Sequence, residues 1–347
     1  MSAVADVPEA VRDAYGLDER AVATPITSGW INRTLLVTQG DDRFVLQLLH
    51  RIFAAEVNED IEACTLHLVA RGVPSPTLRR TVDGRVCVEH GAEVWRALEY
   101  IEGETLGRLP SLAHAEAAGA FVARFHGALR DLAHAFRFTR AGVHDTRAHL
   151  DKLTRLRADA SLGFAERARA DRWADRVLDA ARSIEPLPTA PLRIVHGDLK
   201  VTNLRFASDG SVVGLVDLDT LARGALAIDL GDALRSWCNP TDEADPNARF
   251  DRAVFEAAMR GYLREAREWL SVDERSAIVP AIVTIGVELA ARFAADLYED
   301  SYFGFDSARF ASRRAHNLSR VEAQLALAAD VARIESELTG WLERESG

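Results

Sequence analysis

Apolar and polar residues alternate between about residues 20 and 101, which predicts strands divided by turns. The segments "TPITSGWINRTLLVT" and "RFVLQLL" lie on either side of "QGDD", and "VDGRVCVEHG" and "AEVWRALEYIEG" add further strands with a hairpin turn at Asp83-Gly84. One stretch, "AAEVNEDIEACTLHLVARG", has helical spacing and ends at Gly72. The pattern predicts a small sheet with one inserted helix, after a short helix over residues 8–16.

Beyond residue 102 the apolar spacing becomes helical, beginning with "LAHAEAAGAFVARFHGALRDL" and continuing through Arg-rich helices over 146–183. A Pro-rich break precedes three short strands, "RIVHG", "NLRFA" and "SVVGLVDLD", and everything from residue 229 onwards is predicted to be helical. The fold class is therefore α+β, with a β-rich N-lobe over residues 1–101 and a mainly helical C-lobe over residues 102–347.

Composition narrows the classes of partner. The 347 residues include 42 basic and 53 acidic ones, and a net charge of −11 argues against nucleic acid as a partner. Three widely spaced cysteines form no disulfide framework, which favours a reducing compartment. The N-terminus carries acids and no apolar core of a signal peptide. We expect a cytoplasmic protein, a monomer or a homodimer.

From the sequence we expect no apolar run to approach the ~18 residues that a membrane span needs. The segment "AIVPAIVTIGVELAARFAADLY" comes closest, but Glu288, Arg292 and Asp296 lie on one helical face at spacings of four. This pattern predicts a core helix with a polar stripe, and no membrane partner.

Four polar side chains interrupt the apolar stretch "IVHGDLKVTNLRF", and two acids follow it. Asp198 and Asn203 are five residues apart, Asp217 comes fourteen residues after Asn203 at the end of an apolar strand, and Asp219 follows. Carboxylate and amide oxygens suit Mg²⁺, which usually also binds substrate phosphates. Phosphoryl transfer needs a positioned metal and a carboxylate that orients the attacking hydroxyl. Alone, "HGD" is a common turn and "DLD" a helix cap, but the combination predicts a kinase-like site.

These motifs carry a family resemblance. "HGDLKVTN" together with "VDLD" resembles the aminoglycoside phosphotransferase and choline kinase superfamily, whose members have a bilobal protein-kinase-like fold. Further stretches are most similar to the N-acetylhexosamine 1-kinase branch, which phosphorylates the anomeric hydroxyl of an amino sugar. They are "GWINRT", "FVLQ", "FTRAGVHDT", "VDLDTLARGALAIDLGDALRS" and "ARFAADLYEDSYF".

The resemblance implies roles for the residues of the larger lobe. Asp198 takes the position of the catalytic Asp that accepts a hydrogen bond from the substrate hydroxyl. Lys200 is expected to reach the transferred phosphate as a point charge. The metal ligands are expected to be Asn203 and Asp217, with Asp219 at the same or a second metal ion.

Two further residues of this lobe are expected to support the catalytic loop without touching substrate: His196 and Asp229. A charged pair one helical turn apart, Asp232 and Arg235, has a surface ion pair as its simpler interpretation.

The smaller lobe is expected to bind the nucleotide. Ser28, Gly29 and Asn32 belong to a loop whose backbone amides can approach phosphate oxygens. Trp30 stands where the hexosamine branch has His, and it is predicted to contact the acceptor. The hinge is predicted at "RALEYIEGETL", with backbone groups of Glu99 and Ile101 at the adenine edge.

The third strand lacks the cation that the superfamily usually carries there. Gln47 takes that place and can donate a hydrogen bond but carries no charge. Arg51 or His50 is predicted to supply the charge. Glu59 of the following helix is either the partner of that cation or a solvated charge on the helix surface.

The acceptor is expected to contact the late helical stretch. Arg292 can fix hydroxyls or an acetamide oxygen with its fork, and Tyr302 can pack against a sugar ring. The alternative for Arg292 is a salt bridge with Glu288 or Asp296.

The sequence therefore predicts an ATP- and Mg²⁺-dependent kinase that phosphorylates a small-molecule acceptor, a sugar or amino sugar, most simply at the anomeric hydroxyl of an N-acetylhexosamine. The alternatives are an aminoglycoside, choline or homoserine-type phosphotransferase, or a catalytically silent nucleotide-binding relative.

Overall fold

The computed structural model describes residues 7–26, 31–140, 142–161 and 163–345. The chain forms two compact units. The first comprises Met1–Glu104, Ala128–Arg140 and Leu204–Ala222, and the second comprises Thr105–Gly127, Ala141–Asn203 and Arg223–Gly347. The division into lobes at residue 101 stays a prediction, because it was drawn for two continuous stretches and the first unit takes in two later segments.

The first unit is built mainly of strands. Its elements are α1 (Glu9–Ala14), β1 (Val22–Ile26), β2 (Arg33–Gln39), β3 (Asp42–Leu48), α2 (Val57–Ala70), β4 (Leu78–Arg79), β5 (Val88–His90), β6 (Glu93–Glu99), β9 (Leu204–Phe206), β10 (Val212–Leu215) and a 3₁₀ turn (Leu218–Thr220). The short strand β7 (Glu104–Thr105) lies at the end of the first stretch.

The main sheet is antiparallel throughout, with strand order β1-β2-β3-β6-β4 and β5 paired with β6. Because side chains alternate along a strand, each of the central strands buries one set of apolar residues against α1. Phe44 and Leu46 of β3 and Trp95 of β6 belong to this core. The opposite face carries Thr34, Gln47 and Arg96, and the register places Gln47 beside both of the others.

The second unit is mainly helical. Its elements are α3 (Leu112–Ala128), α4 (Thr146–Ala158), α5 (Arg167–Ala181), β8 (Leu192–Val195), a 3₁₀ turn (Val201–Asn203), β11 (Ala222–Ala225), α6 (Leu226–Trp237), α7 (Arg252–Ala266), α8 (Val272–Ser276), α9 (Ile278–Glu299), α10 (Arg313–Arg333) and α11 (Glu335–Glu345). A strand-rich part followed by helices confirms the predicted α+β class.

Helix α9 is the centre of the helical core and packs against α4, α5, α6 and α10. Contrary to the expectation from the sequence, this helix is long and apolar enough to cross a membrane by length and composition. However, 83% of its most apolar window is buried inside the structure, as in the core helix of a folded unit. Glu288 and Asp296 of its polar stripe are buried as well, which means that they must be paired inside the unit.

Two glycines let α3 and α7 approach each other closely. A Cβ atom on Gly119 would lie 1.8 Å from the carbonyl oxygen of Ala258, and one on Gly261 would lie 2.0 Å from that of Glu116. Larger residues at these two positions would force the helices apart. The contact fixes α3, which carries His126, a partner of Asp229 in α6.

Candidate active site

The loop after β8 is held by a buried carboxylate. The backbone N–H groups of His196 and Gly197 donate to the two oxygens of Asp229 over 2.9 and 2.7 Å. Gly197 has φ of 79°, a left-handed conformation that glycine adopts without strain. Asp229 lies in the first turn of α6, as the resemblance led us to expect for a supporting residue.

Asp229 has a third partner in His126, whose Nε2 lies 3.0 Å from its Oδ2. Burial alone would raise the pKa of Asp229. The hydrogen bond from His126, the nearby charge of His126 and His196, and the backbone N–H of His196 together lower the pKa below its ordinary value. The carboxylate therefore stays ionised as an anchor for the loop.

Three more side chains hold the same loop. Trp237 donates from Nε1 to the carbonyl oxygen of Leu199 over 2.7 Å, and His144 approaches the carbonyl oxygen of Gly197 at 3.2 Å. The buried His196 accepts at Nδ1 from the backbone N–H of Asp198. This contact agrees with a positioning role for His196. Trp237 and His126 were missed from the sequence, because helical apolar spacing explains an aromatic or His residue equally well. His144 was missed because it lies in the turn before α4, where no local pattern indicates its contacts.

Asp198, Lys200 and Asn203 come together as the motif predicts. Lys200 Nζ lies 2.9 Å from Asp198 Oδ2. The amide Nδ2 of Asn203 donates to the backbone oxygen of Asp198 over 2.8 Å and to its Oδ2 over 3.2 Å. Because the amide nitrogen is used in this way, Oδ1 is the atom that Asn203 can offer to a cation. The half-buried carboxylate of Asp198 is thus oriented by two neighbours.

Asp232 and Arg235 are not a surface pair. Both are buried, and Arg235 Nη2 donates to Asp232 Oδ1 over 2.8 Å. Burial would raise the pKa of Asp232, but the positive charges of Arg235, His144 and Lys200 lower it. The sequence could not show this burial, because two residues one helical turn apart have the same spacing whether they face solvent or the core. Here α6 is packed along most of its surface.

Asp217 and Asp219 lie in the segment Leu204–Ala222 of the first unit. Asp217 has φ of 65° and ψ of 58°, a left-handed conformation that is rare for a residue with a side chain. Such strain persists only where the surroundings enforce it, and it concentrates at functional positions. Both oxygens of Asp219 accept hydrogen bonds: Oδ1 from Arg96 over 2.5 Å, and Oδ2 from Asn32 over 2.6 Å.

The positively charged side chain beside Gln47 of β3 belongs to β6. Arg96, which is almost fully buried, donates from Nε and Nη2 to the side-chain oxygen of Gln47 over 2.9 and 2.7 Å. Gln47 in turn donates to Thr34 over 3.0 Å. The signal that could have found Arg96 is the antiparallel register, which places it opposite Gln47.

The prediction that Glu59 pairs with a cation after the third strand requires correction. Its Oε2 lies 2.6 Å from Nη1 of Arg137 instead. The next residue, Asp60, accepts from His134 and from the backbone N–H groups of Arg137 and Phe138. The acidic side of α2 therefore binds the segment Ala128–Arg140, within the first unit, rather than the sheet.

The predicted hinge residues Glu99 and Ile101 line a cavity of about 520 Å³ in the first unit, together with Tyr100, Val69 and Val213 among others. Of the predicted phosphate loop, the structure describes Asn32, which joins Asp219 to the backbone N–H of His50. Ser28, Gly29 and Trp30 lie outside the described residues.

Arg292 and Tyr302 both lie around Phe303. The guanidinium carbon of Arg292 is 5.8 Å from the centroid of the Phe303 ring, and Tyr302 contacts the same ring edge-on at 4.7 Å. In the part of the chain that the structure describes, Arg292 forms no salt bridge with Glu288 or Asp296. Glu288 accepts from His144 and Thr146 instead, and Asp296 caps the turn after α9.

Across residues 7–26, 31–140, 142–161 and 163–345, no three His, Cys, Asp or Glu side chains cluster as a ready-made metal site. The donor set of the motif is one amide and one or two carboxylates. Mg²⁺ keeps several waters and takes its remaining ligands from substrate phosphates. The residues present therefore fit a metal that binds together with a nucleotide.

Solved structures show the class to which this fold belongs. The chain is similar to the aminoglycoside phosphotransferase from Alicyclobacillus acidocaldarius, with 16% identity, a TM-score of 0.62 and 96% of each chain covered. It is also similar to a microcompartment-associated aminopropanol kinase, with 19% identity, a TM-score of 0.63, and 94% and 96% of the two chains covered. The fold is that of the kinase-like small-molecule phosphotransferases.

The chain belongs to the phosphotransferase enzyme family known as APH, whose model matches residues 22–272. It is an enzyme of this family, a phosphotransferase with an alcohol group as acceptor. A curated relative, the homoserine kinase of Rhodopseudomonas palustris strain HaA2, is 29% identical over 239 residues, or 68% of this chain and 69% of the relative. Membership confirms the superfamily to which the two sequence motifs pointed.

Proposed function

We propose that the enzyme transfers the γ-phosphoryl group of ATP, with Mg²⁺, to a hydroxyl group of a small acceptor, and that Asp198 is the catalytic residue. The observation that carries this proposal is the arrangement of Asp198 between Lys200 and Asn203 on a loop anchored by Asp229. A rigid loop with one oriented carboxylate supplies what phosphoryl transfer needs from a protein.

In the proposed reaction, Asp198 accepts a hydrogen bond from the acceptor hydroxyl and orients its oxygen towards the γ-phosphorus. A new P–O bond forms to that oxygen, the bond from the γ-phosphorus to the β,γ-bridging oxygen breaks, and ADP leaves. The hydroxyl proton passes to Asp198 and then to solvent. Lys200 balances charge on the transferred group.

Asn203 and Asp217 are the residues proposed to hold the metal, which supplies neutralisation of the phosphate charge when bound. The backbone of Glu99 and Ile101 is proposed to bind the adenine, and the phosphate loop is proposed to include Ser28, Gly29 and Asn32. These assignments follow the motifs. The hydrogen bond from Asn203 to Asp198 supports the role of Asn203 alone, because it leaves the amide oxygen of Asn203 as a ligand for a cation.

For the acceptor we propose an N-acetylhexosamine that is phosphorylated at its anomeric hydroxyl. Two observations support a ring-shaped acceptor: Tyr302 is 53% exposed, and Arg292 lies beside the same aromatic cluster without an ion pair to its helix neighbours in the described chain. A sugar ring can pack on the tyrosine while the guanidinium binds a hydroxyl or acetamide oxygen.

Homoserine is the second candidate, because the similar curated proteins include several homoserine kinases. Its carboxylate would suit Arg292 as well as an acetamide would. It offers no ring face, so Tyr302 should matter little. The effect of Tyr302→Ala therefore separates the two acceptors.

The test is ADP release from ATP with GlcNAc, GalNAc, glucose, galactose, homoserine, choline, ethanolamine and kanamycin. We expect kcat/KM for an N-acetylhexosamine to exceed that for the plain hexose at least tenfold, and Tyr302→Ala to raise the KM of that acceptor. Turnover of homoserine alone, unaffected by Tyr302→Ala, would replace the sugar with the second candidate.

The variant Asp198→Asn tests the proposed catalytic residue, and Asp209→Asn is its matched control. Asp209 is an exposed Asp in the β9–β10 turn. We expect kcat to fall at least 10³-fold in Asp198→Asn and to stay within twofold in Asp209→Asn. A wild-type chain that binds ATP but turns over no acceptor would be a silent binding protein, and the proposed reaction would be wrong.

A further inference from the structure

Arg96 belongs to a network of hydrogen bonds that the sequence motifs do not explain. It donates twice to Gln47 and once to Asp219, and Asn32 donates to the other oxygen of Asp219. The side chains of Arg96 and Asp219 are each only 1% exposed. The network joins β3 and β6 to the turn at Leu218–Thr220, entirely within the first unit.

This network gives a physical reason for Gln at the position where the superfamily has Lys. The amide oxygen of Gln47 accepts two N–H groups from one edge of the guanidinium. An ammonium group at position 47 would meet the positive charge of Arg96 in a site with little water, where repulsion between like charges is strong. Gln47 is therefore compatible with Arg96, as Lys would not be. The positive charge that the superfamily usually carries on the third strand is carried here by β6.

A buried ion pair is poor evidence for a gain in stability, since desolvation of two charges offsets most of their attraction. Arg96 gives three of its five N–H groups, one each on Nε, Nη1 and Nη2, to protein oxygens. What the pair does fix is the position of Asp219. Two residues earlier, Asp217 adopts the left-handed conformation, which persists only where the surroundings enforce it.

We propose that Arg96 and Asp219 are positioning residues, whose ion pair holds the turn after β10 so that Asp217 presents its carboxylate to the metal of the metal–nucleotide complex. This inference rests on the proposed function. It differs from the sequence-based assignment of Asp219 as a metal ligand, because here Asp219 acts through Asp217.

Removal of Arg96 distinguishes the two roles. If Asp219 were a ligand, Arg96→Met would release its carboxylate for the metal, and the concentration of Mg²⁺ at half-saturation would fall or stay unchanged. If the pair positions Asp217, the same variant raises that concentration. The measurement is the Mg²⁺ dependence of the thermal stabilisation by the non-hydrolysed analogue AMP-PNP, which needs no turnover.

We expect the half-saturating Mg²⁺ concentration to rise at least tenfold in Arg96→Met and in Asp219→Asn, and about threefold in Arg96→Lys, which keeps the charge but loses the fork. The double variant Arg96→Met/Asp219→Leu should melt above either single variant, because no lone charge stays buried. The half-saturating Mg²⁺ concentration of the double variant should nevertheless stay at least tenfold above that of the wild type.

Recovery of wild-type half-saturation in the double variant would overturn the inference, since the pair would then only support the fold. An unchanged or lower value in Arg96→Met would also overturn it and restore Asp219 as a ligand. If Arg96→Met does not fold, the half-saturating Mg²⁺ concentration of Arg96→Lys is the deciding measurement: a rise supports the inference, and an unchanged or lower value overturns it. A wild-type chain without any Mg²⁺-dependent stabilisation, or one that Asp217→Ala leaves unaltered, would instead refute the proposed metal site itself.

Discussion

From the contacts of His144 we predict that the stability of the helical unit depends on pH. Its Nδ1 lies 3.2 Å from Glu288 Oε1 and its Nε2 lies 3.2 Å from the carbonyl oxygen of Gly197. Both neighbours are acceptors, so the imidazole satisfies both only when each nitrogen carries a proton. Burial would lower the pKa of His144, but the hydrogen bond to Glu288 and the charges of Asp232, Glu288 and Asp229 raise it to about 9.

The size and sign of the effect follow from linkage. A rise of the pKa from the ordinary 6.5 to about 9 corresponds to about 3 kcal/mol, at about 1.4 kcal/mol for each tenfold change in proton affinity. Because the folded state has the higher pKa, this contribution is fully present below about pH 6.5. It decreases as the pH rises and is lost above about pH 9.

The assay is urea unfolding of the wild type and of His144→Gln from pH 6 to 9.5. We expect the difference in unfolding free energy between the two proteins to be about 3 kcal/mol larger at pH 6 than at pH 9.5. Substitution of the exposed His90 by Gln is the matched control and should give a flat difference. A difference for His144→Gln that does not vary with pH would refute the imidazolium bridge.

Three further predictions concern the loop and its supports. The chain contains only two lysines, Lys152 and Lys200. Acetylation of amines should therefore lower ADP release at least tenfold even in Lys152→Arg, with protection by ATP and Mg²⁺; full activity after complete acetylation of Lys200, verified by mass spectrometry, would contradict its role. Asp229→Asn should lower the unfolding free energy by about 2–4 kcal/mol, because the amide presents N–H groups to donors that the carboxylate satisfied; a loss under 1 kcal/mol in urea unfolding would argue against the anchor. Gly119→Ala should lower the melting temperature because its Cβ meets a carbonyl of α7, whereas Gly107→Ala, with open space around it, should not; equal melting temperatures would contradict the close approach.

The fold was largely predictable because its signals are local. Alternation marked β2, β3 and β6, and turn residues marked the hairpin at "QGDD". The membership of Leu204–Ala222 in the first unit was not predictable, since which unit a hairpin packs against depends on contacts distant in sequence. The same holds for the burial of α9, where length and composition alone also fit a membrane span.

The candidate site divides in the same way. Asp198, Lys200 and Asn203 fall within six residues on one loop, so their spacing was enough to predict that they meet. Arg96 and His144 act through partners 123 and 144 residues away, and nothing in their local sequence reports those contacts. The predicted partner of Glu59 was wrong for the same reason, because the segment that contains Arg137 follows α3 in sequence and packs against α2.

The central proposal is that Asn203 and Asp217 bind a divalent cation together with a nucleotide triphosphate. Anomalous scattering from crystals grown with AMP-PNP and Mn²⁺ tests it most directly. The account predicts a peak within about 2.2 Å of a side-chain oxygen of both residues, in contact with nucleotide phosphates. Bound nucleotide with the metal away from either residue would contradict it.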